Sequence, residues 1–248
     1  MGTVLLFLIA LLISIVYEIP ATISRYLRGD ARSRLIGWVV ERSLEHLVAA
    51  VKVYMHIRLE YDKSFERLPE RFIVIANHQS LLDIPVLMDY FRGRRTLLFV
   101  AKSELGMGIP LISSVLRIQG HALVERKGGT IRTMHVLGRF ARVCRRNGSC
   151  PALFPEGTRS SDGRLKRFHT AGLRRLLEVA PVPVVVVAMD GGAEISSLRR
   201  VLMSGRGKRY RVKALAVVNA ANDRKATGEL LEHARNLIQA QLDLWHGF

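Results

Sequence analysis

The sequence predicts an α/β protein: a single domain with a central, mostly parallel mixed sheet flanked by helices, preceded by N-terminal membrane-associated helices. Beyond residue 60, short apolar runs alternate with longer segments of helical periodicity, which is the pattern of a sheet covered by helices. The run at 182–189 is almost unbroken in apolar residues, as expected for a central strand buried on both faces. The first 17 residues carry no charge, which predicts an apolar helix outside the sheet domain.

The N-terminal segment predicts a helix that meets a membrane. Seventeen residues give a helix of about 25 Å, slightly short of the ~30 Å hydrocarbon core, so spanning and partial embedding both stay open. Glu18 is the one charged residue before Ser24, and four arginines follow between positions 25 and 34. The positive-inside rule then places the rest of the chain at the cytoplasmic face of the inner membrane. A cleavable signal peptide is the alternative, but a basic region at its start and a small-x-small cleavage site are missing.

A second helix is predicted at 35–54, where apolar residues recur between charged ones. Such a helix either packs on the folded domain or lies in the membrane interface. We therefore divide the chain into N-terminal anchoring or interfacial helices, residues 1–60, and a folded catalytic domain, residues 61–248. Within that domain the predicted strands are 72–76, 96–101, 121–124, 151–154, 182–189 and 211–218. The predicted helices are 81–90, 109–116, 130–146, 170–179 and 227–245.

The charge balance requires an acidic partner. The chain has 38 Lys and Arg against 21 Asp and Glu, a formal charge of +17. Nucleic acid, anionic lipid headgroups and phosphorylated substrates all favour such a surface. A membrane-tethered nucleic-acid binder is one hypothesis, but aromatic residues make up 7% of the chain and no basic-aromatic motif occurs, so we expect no nucleic acid. The two cysteines, Cys144 and Cys150, are expected to be free thiols in a reducing compartment.

A histidine and an aspartate follow the predicted strand 72–76 in the motif Asn77-His78-Gln79-Ser80-Leu81-Leu82-Asp83. A neutral imidazole can act as a general base when a carboxylate fixes its tautomer and orientation. Residues five apart point to different faces of a helix, so the two can pair only if His78 lies in a turn, Ser80 caps a helix beginning near Leu81, and Asp83 lies in its first turn. Alternatively, Asp83 interacts only with the helix dipole and His78 only with backbone.

A second group of polar residues follows the predicted strand 151–154, in Phe154-Pro155-Glu156-Gly157-Thr158-Arg159-Ser160. The end of a strand is where open α/β sheets bind ligands. Arg159 has the geometry to bind a phosphate with two hydrogen bonds, while Glu156 can accept a hydrogen bond from a substrate hydroxyl. The alternative is a turn with an ordinary Glu–Arg ion pair on the surface.

Together these two motifs resemble the first and third motifs of the glycerolipid acyltransferase family, and the Gln79-Ser80 form is similar to its 1-acylglycerol-3-phosphate acyltransferase branch. Two further blocks agree in order and spacing. Lys102-Ser103-Glu104-Leu105, followed by Gly120 and Glu125-Arg126, resembles the second motif, and Val182-Pro183-Val184-Val185 resembles the fourth. The resemblance covers residues 71–190. Val186 stands where the family has a second proline, and His169 stands where a lysine usually follows the phenylalanine, which puts acceptor identity in question.

The resemblance implies acyl transfer from acyl-CoA or acyl carrier protein, as co-substrate, to lysophosphatidic acid, forming phosphatidic acid at an anionic lipid surface in phospholipid biosynthesis. No other cofactor and no metal are expected. His78 and Asp83 would be catalytic. The implied substrate-binding residues are Arg126, Arg159 and Lys166 for the phosphate, and Glu156, Gly157 and Thr158 for the glycerol site.

Other chemistries have weaker support in the sequence. Another acceptor, such as glycerol-3-phosphate, a lysophospholipid or a lyso-aminolipid, is the alternative within the family. A metallohydrolase would draw ligands from His78, Asp83, His121, His135 and His169, but no two of those histidines have a recognised metal-ligand spacing. Ser80 lacks the Gly-x-Ser-x-Gly elbow of a serine hydrolase.

Overall fold

The computed structural model describes residues 2–64, 67–125, 129–160, 162–193, 207–219 and 223–247. Within these ranges seven strands form one sheet: β1 Arg58–Asp62, β2 Ile73–Ala76, β3 Leu97–Lys102, β4 Ala122–Val124, β5 Cys150–Leu153, β6 Val184–Asp190 and β7 Arg209–Val218. Their spatial order is β1-β7-β6-β2-β5-β3-β4. Neighbouring strands are parallel except β6 and β7, which are antiparallel. The predicted fold class, a mostly parallel mixed sheet in an α/β domain, is confirmed.

Helices cover both faces of the sheet. They are α1 Gly2–Ser24, α2 Gly29–Met55, α3 Asp83–Phe91, α4 Ile112–Gln119, α5 Thr130–Asn147, α6 Thr170–Val179 and α7 Arg224–His246, with a 3₁₀ turn at Ser103–Gly106. One core lies between the sheet and the helices α2 and α3, and a second lies between the sheet and α5, α6 and α7. Alternate residues of β2 enter opposite cores, because successive side chains of a strand point to opposite faces.

Strand β6 is the buried centre that the apolar run predicted. All seven of its residues are buried, and it pairs with β7 on one side and β2 on the other. The strands and helices predicted at 72–245 agree with the observed elements to within three residues, whereas α2 begins six residues before the predicted start at 35. A further exception is β1, which the sequence analysis did not predict. Its residues are polar and exposed or half-buried, since it pairs only with β7 at the edge of the sheet. The division at residue 60 stays a prediction, and the sheet itself begins at Arg58.

The two N-terminal helices pack against each other and against the domain. Tyr17 of α1 lies 5.8 Å, between ring centroids, from Trp38 of α2. The C-terminal end of α2 enters the core beside α3, as expected for a helix that packs on the domain. Near the end of α1, the Glu18 carboxylate accepts hydrogen bonds from the Leu111 amide at 2.7 Å and the Ser114 hydroxyl at 2.6 Å, where α4 begins. The hairpin of α1 and α2 is therefore fastened to the sheet domain.

Much of α1 presents apolar side chains outward. Its stretch Leu5–Ser24 has a mean hydropathy of 2.2 and is only 17% buried, and its length and composition would allow it to cross a membrane. The exposed large apolar side chains of this helix are Leu5, Phe7, Leu8, Leu11, Leu12, Ile15, Val16, Ile19 and Ile23. This surface is unusual for a protein exposed only to water.

Candidate active site

The site forms where two adjacent parallel strands end. Strands β2 and β5 pair in parallel, so their carboxyl ends meet at the same edge of the sheet. The residues after β2 carry His78, and the residues after β5 carry Glu156 and Arg159. Two motifs that lie far apart in sequence are thereby brought side by side, at the edge where α/β sheets bind ligands.

His78 and Asp83 are in direct contact. The imidazole Nδ1 lies 2.7 Å from Asp83 Oδ2. The carboxylate can only accept a hydrogen bond when ionised, so Nδ1 carries the proton and Nε2 is left as the basic nitrogen. The Asp83 side chain is 0% exposed and that of His78 is 15% exposed, so the carboxylate is sealed inside while the ring edge reaches the surface.

The turn before α3 wraps around the Asp83 carboxylate. Oδ2 also accepts hydrogen bonds from the backbone amides of Gln79, at 2.6 Å, and Ser80, at 2.9 Å. The prediction that Ser80 caps a helix beginning near Leu81 is wrong. Helix α3 begins at Asp83, and the Ser80 hydroxyl accepts from the Leu82 amide within the turn, at 3.2 Å. The backbone amides of Gln79 and Ser80 therefore point at Asp83 from the turn that precedes the helix.

The ring of Phe154 holds the plane of the imidazole. It stacks on His78 with centroids 4.1 Å apart and planes 11° from parallel. Phe154 follows β5 directly, so its position is fixed by the sheet. With Asp83 binding one edge of the imidazole and Phe154 covering one face, the direction of Nε2 is fixed before any substrate arrives.

Glu156 links the two motifs through its buried carboxylate. Its Oε1 accepts from the His78 amide at 2.8 Å and its Oε2 from the Lys166 amide at 3.0 Å, and the residue is 3% exposed. Burial raises the pKa of Glu156, while the two amides favour its charged form. Both carboxylate oxygens of Glu156 thus already bind the protein backbone. Its predicted contact with a substrate hydroxyl stays a prediction.

Arg159 of the second motif and Lys166, which follows the motif, form a basic rim. Lys166 Nζ donates to the Arg159 carbonyl at 2.7 Å, and both side chains are exposed. Gly157 is exposed and has a φ of +67°, a conformation that favours glycine, and Thr158 beside it is partly exposed. The predicted phosphate ligand Arg126 lies outside the described residues.

Three residues that the sequence analysis did not assign to the site also support it. The Tyr210 hydroxyl, from β7, donates to Asp83 Oδ1. The Asn77 side chain bonds the amide and carbonyl of Met189, at 2.8 and 2.7 Å, which fastens the end of β2 to β6. The Gly192 amide donates to Gln79 Oε1 at 2.9 Å. Asn77 lay inside the recognised motif, but nothing in the local sequence pointed to Tyr210 or Gly192.

The two departures from the family pattern occupy different places. Val186 is fully buried in β6, on the face that packs against α5, α6 and α7. His169 is exposed at the start of α6, and its amide donates to the Pro155 carbonyl at 2.8 Å. His169 therefore adjoins the turn that carries Glu156 and Gly157.

Residues proposed for rival chemistries lie elsewhere or are already bonded. Within the described ranges, no group of three His, Cys, Asp or Glu side chains could hold a metal ion. His121 is buried and its Nδ1 accepts from the Phe99 amide at 3.0 Å. Cys144 and Cys150 are free and buried, as expected of free thiols, and burial raises the pKa of Cys144 to about 12.

Comparison with known proteins identifies the family of the chain. A family model described as acyltransferase matches residues 58–190. The chain is 27% identical to the chloroplastic 1-acyl-sn-glycerol-3-phosphate acyltransferase BAT2 of Brassica napus over 161 residues, 62% of this chain and 44% of that protein. It is 25% identical to the 1-acyl-sn-glycerol-3-phosphate acyltransferase of Saccharomyces cerevisiae over 182 residues, 73% of this chain and 57% of that protein. The chain thus spans about half the length of these curated relatives.

A solved structure matches nearly the whole chain. The crystal structure of the 1-acyl-sn-glycerophosphate acyltransferase PlsC from Thermotoga maritima superposes with a TM-score of 0.72 and 25% sequence identity. The match covers 97% of this chain and 95% of that one. The similarity therefore includes the N-terminal helices as well as the sheet.

Replacing Glu156 with Gln is expected to lower the free energy of unfolding by about 1–3 kcal/mol, because an amide group has one acceptor oxygen and one of the two backbone amides loses its partner. Urea denaturation measures the loss. Glu104→Gln, at an exposed glutamate in the 3₁₀ turn, should change the stability by less than about 0.5 kcal/mol. Equal midpoints for the two variants would contradict the linking role of Glu156.

Proposed function

Because the chain belongs to the acyltransferase family, we propose that it transfers a fatty acyl group from an acyl thioester to the sn-2 hydroxyl of 1-acylglycerol-3-phosphate, or lysophosphatidic acid. The product would be phosphatidic acid, a precursor in phospholipid biosynthesis. The observation that carries the proposal is the His78–Asp83 pair, with Nε2 left as the base, beside a basic rim. The names of the relatives support this acceptor.

The geometry supports direct transfer with His78 as general base. Nε2 takes the proton of the acceptor hydroxyl as its oxygen attacks the thioester carbonyl, and Asp83 stabilises the resulting imidazolium. The carbon–sulfur bond then breaks, and the imidazolium returns the proton to the departing thiolate. The acyl group passes to the acceptor oxygen without an acyl-enzyme. Backbone amides are the expected donors to the oxyanion.

The basic rim supports binding of the acceptor phosphate. Arg159 and Lys166 are held next to each other after β5, close to the Glu156 link to His78. A guanidinium can bind a phosphate with two hydrogen bonds and so place the adjoining glycerol hydroxyl near Nε2. We propose Arg126 as a further phosphate ligand, and Glu156, Gly157 and Thr158 as the residues that shape the glycerol site.

The donor is proposed to be acyl-CoA or acyl carrier protein, acting as a co-substrate with no other cofactor. Both carry acidic groups, which the net charge of +17 attracts through long-range electrostatics. The same charge supports binding to an anionic phospholipid surface, and the exposed apolar side chains of α1 favour lipid over nucleic acid.

We propose that α1 places the enzyme on the cytoplasmic face of the inner membrane. Its outward apolar side chains support membrane association, and the arginines after α1 support the cytoplasmic orientation. Because Glu18 bonds the sheet domain near the end of α1, the domain would lie directly against the lipid surface.

Replacing His78 with Ala is expected to lower kcat/KM by about 10²–10⁴-fold, because the acceptor hydroxyl loses its general base. The assay uses a radiolabelled acyl thioester and follows phosphatidic acid formation. His135→Ala, at an exposed histidine of α5, should retain the wild-type rate. A folded His78→Ala protein with full activity would contradict the base assignment. Glycerol-3-phosphate, lysophospholipids and lyso-aminolipids form the acceptor panel, since His169 departs from the family pattern.

Replacing Arg159 with Ala is expected to raise the KM for lysophosphatidic acid by about 10–100-fold, the effect of losing a hydrogen bond to a charged group. The KM for 1-monoacylglycerol, which lacks the phosphate, should change little in the same variant. Arg164→Ala removes an exposed arginine from the same loop and serves as the control. An equal rise in KM for both acceptors would show that Arg159 does not recognise the phosphate.

Replacing Leu12 with Glu is expected to reduce binding to anionic phospholipid vesicles by about tenfold or more, because a carboxylate would have to enter apolar lipid. Co-sedimentation measures the bound fraction. Leu12 is 60% exposed on α1, and Leu244, 69% exposed on α7, provides the matched control Leu244→Glu. Unchanged binding of Leu12→Glu would argue against α1 as the membrane contact.

A further inference from the structure

Tyr210 contacts the Asp83 carboxylate of the catalytic pair from β7, which lies two strands along the sheet from β2. Its hydroxyl donates to Asp83 Oδ1, the carboxylate oxygen opposite the one that binds His78. Tyr210 lies on β7 and is 1% exposed. Asp83 therefore receives donors at both oxygens, from the turn before α3 at Oδ2 and from β7 at Oδ1.

The backbone after β6 encloses this contact. A Cβ built on Gly192 would lie 2.9 Å from Asp83 Oδ1 and 3.0 Å from the Tyr210 hydroxyl, closer than side-chain atoms normally approach. At Gly191, where φ is +92°, a Cβ would lie 2.0 Å from the Arg209 carbonyl. Only the glycine backbone fits here, so the Tyr210–Asp83 hydrogen bond is shielded from water.

We propose that Tyr210 is a positioning residue for acyl transfer, whose hydroxyl orients the ionised Asp83 carboxylate and limits how strongly it stabilises the His78 imidazolium. The inference rests on the proposed function for its catalytic consequence. It extends the catalytic unit from a pair to a chain of three hydrogen-bonded groups, Tyr210, Asp83 and His78.

The charges around Tyr210 predict the direction in which its hydroxyl changes the stability of the His78 imidazolium. Burial raises the pKa of Tyr210 well above its ordinary value, and the neighbouring Asp83 raises it further, so the phenol keeps its proton and remains a donor. A donor at Oδ1 draws negative charge away from Oδ2, which leaves less to stabilise a protonated imidazole. The other titratable groups that act on the chain are Glu156 beside His78, and Tyr61 and Asp190 beside Tyr210.

Replacing Tyr210 with Phe removes the hydroxyl and keeps the ring. Oδ2 then carries more charge and holds the imidazolium more strongly, so the base is protonated, and inactive, up to a higher pH. The acid limb of the pH profile of kcat/KM should move upward by about half to one pH unit. We expect kcat to fall by about tenfold, while the KM for the acceptor changes little, since Tyr210 is buried away from the rim.

The matched control is Tyr61→Phe. The Tyr61 hydroxyl also donates to a carboxylate, Asp89 Oδ2 at 2.8 Å, in the same domain. Its loss removes an equivalent tyrosine–aspartate bond without touching Asp83. A pH profile of Tyr210→Phe that coincides with the wild type, or an equal shift in Tyr61→Phe, would overturn the proposal.

A second measurement separates this inference from the proposed function. The pH at which the His78 imidazole takes up its proton can be followed by NMR without substrate, with His78→Ala identifying its resonance among the eight histidines. An upward shift in Tyr210→Phe supports the inference even if the wild type transfers no acyl group to the acceptors tested. Absence of a shift overturns it.

Gly192→Ala provides a second variant if Tyr210→Phe does not fold. The added methyl group would lie 2.9 Å from both Asp83 Oδ1 and Gln79 Cβ and 3.0 Å from the Tyr210 hydroxyl, so the Tyr210–Asp83 contact and the turn at Gln79 would both have to move. The acid limb and the imidazole titration should again move upward. Wild-type values for both measurements in folded Gly192→Ala would count against the role of Tyr210.

Discussion

The carboxylate of Asp83 is fully buried, and the residues of the site supply the hydrogen-bond donors that it needs. A buried charge is tolerated only when hydrogen-bond donors and partner charges replace its hydration. The donors come from the imidazole of His78, two amides of the preceding turn and the hydroxyl of Tyr210. These groups come from two parts of the chain that only the assembled sheet brings together. The catalytic geometry is thus a consequence of folding around one anion.

Glu156, in the second motif, is also a buried carboxylate that accepts hydrogen bonds from the protein. Its buried carboxylate accepts amides from His78 and Lys166, so the turn that carries the base and the loop that carries the basic rim share one acceptor. A shift of either segment would leave a buried carboxylate oxygen without its donor, which is costly. Base and rim are therefore held at a fixed separation, as a reaction that joins two bound substrates requires.

Features encoded locally could be predicted from the sequence, whereas those created by tertiary contacts could not. The uninterrupted apolar run predicted β6, and the His78–Asp83 spacing showed that the two residues could meet only through a turn. β1 was not predicted, because its residues are polar and half-buried, and such a composition fits a surface loop as well as an edge strand. Ser80 was assigned a capping role from its residue type, but α3 begins at Asp83, after the turn in which the Ser80 hydroxyl accepts from the Leu82 amide. In the sequence, nothing distinguishes Tyr210 from the other residues of its strand. Its hydroxyl reaches Asp83 only because β7 pairs beside β6.

The attachment of α1 bears on how the site lies relative to the apolar helix. Glu18 fastens α1 to the amide of Leu111 and the hydroxyl of Ser114, and Arg25 donates to the same hydroxyl at 2.5 Å. The 3₁₀ turn that precedes α4 follows β3, whose carboxyl end lies at the same edge of the sheet as His78. An apolar helix joined at this edge fixes the height of the site above any membrane that it enters. A flexible tether would leave the position of the site relative to α1 undefined, whereas this attachment fixes it.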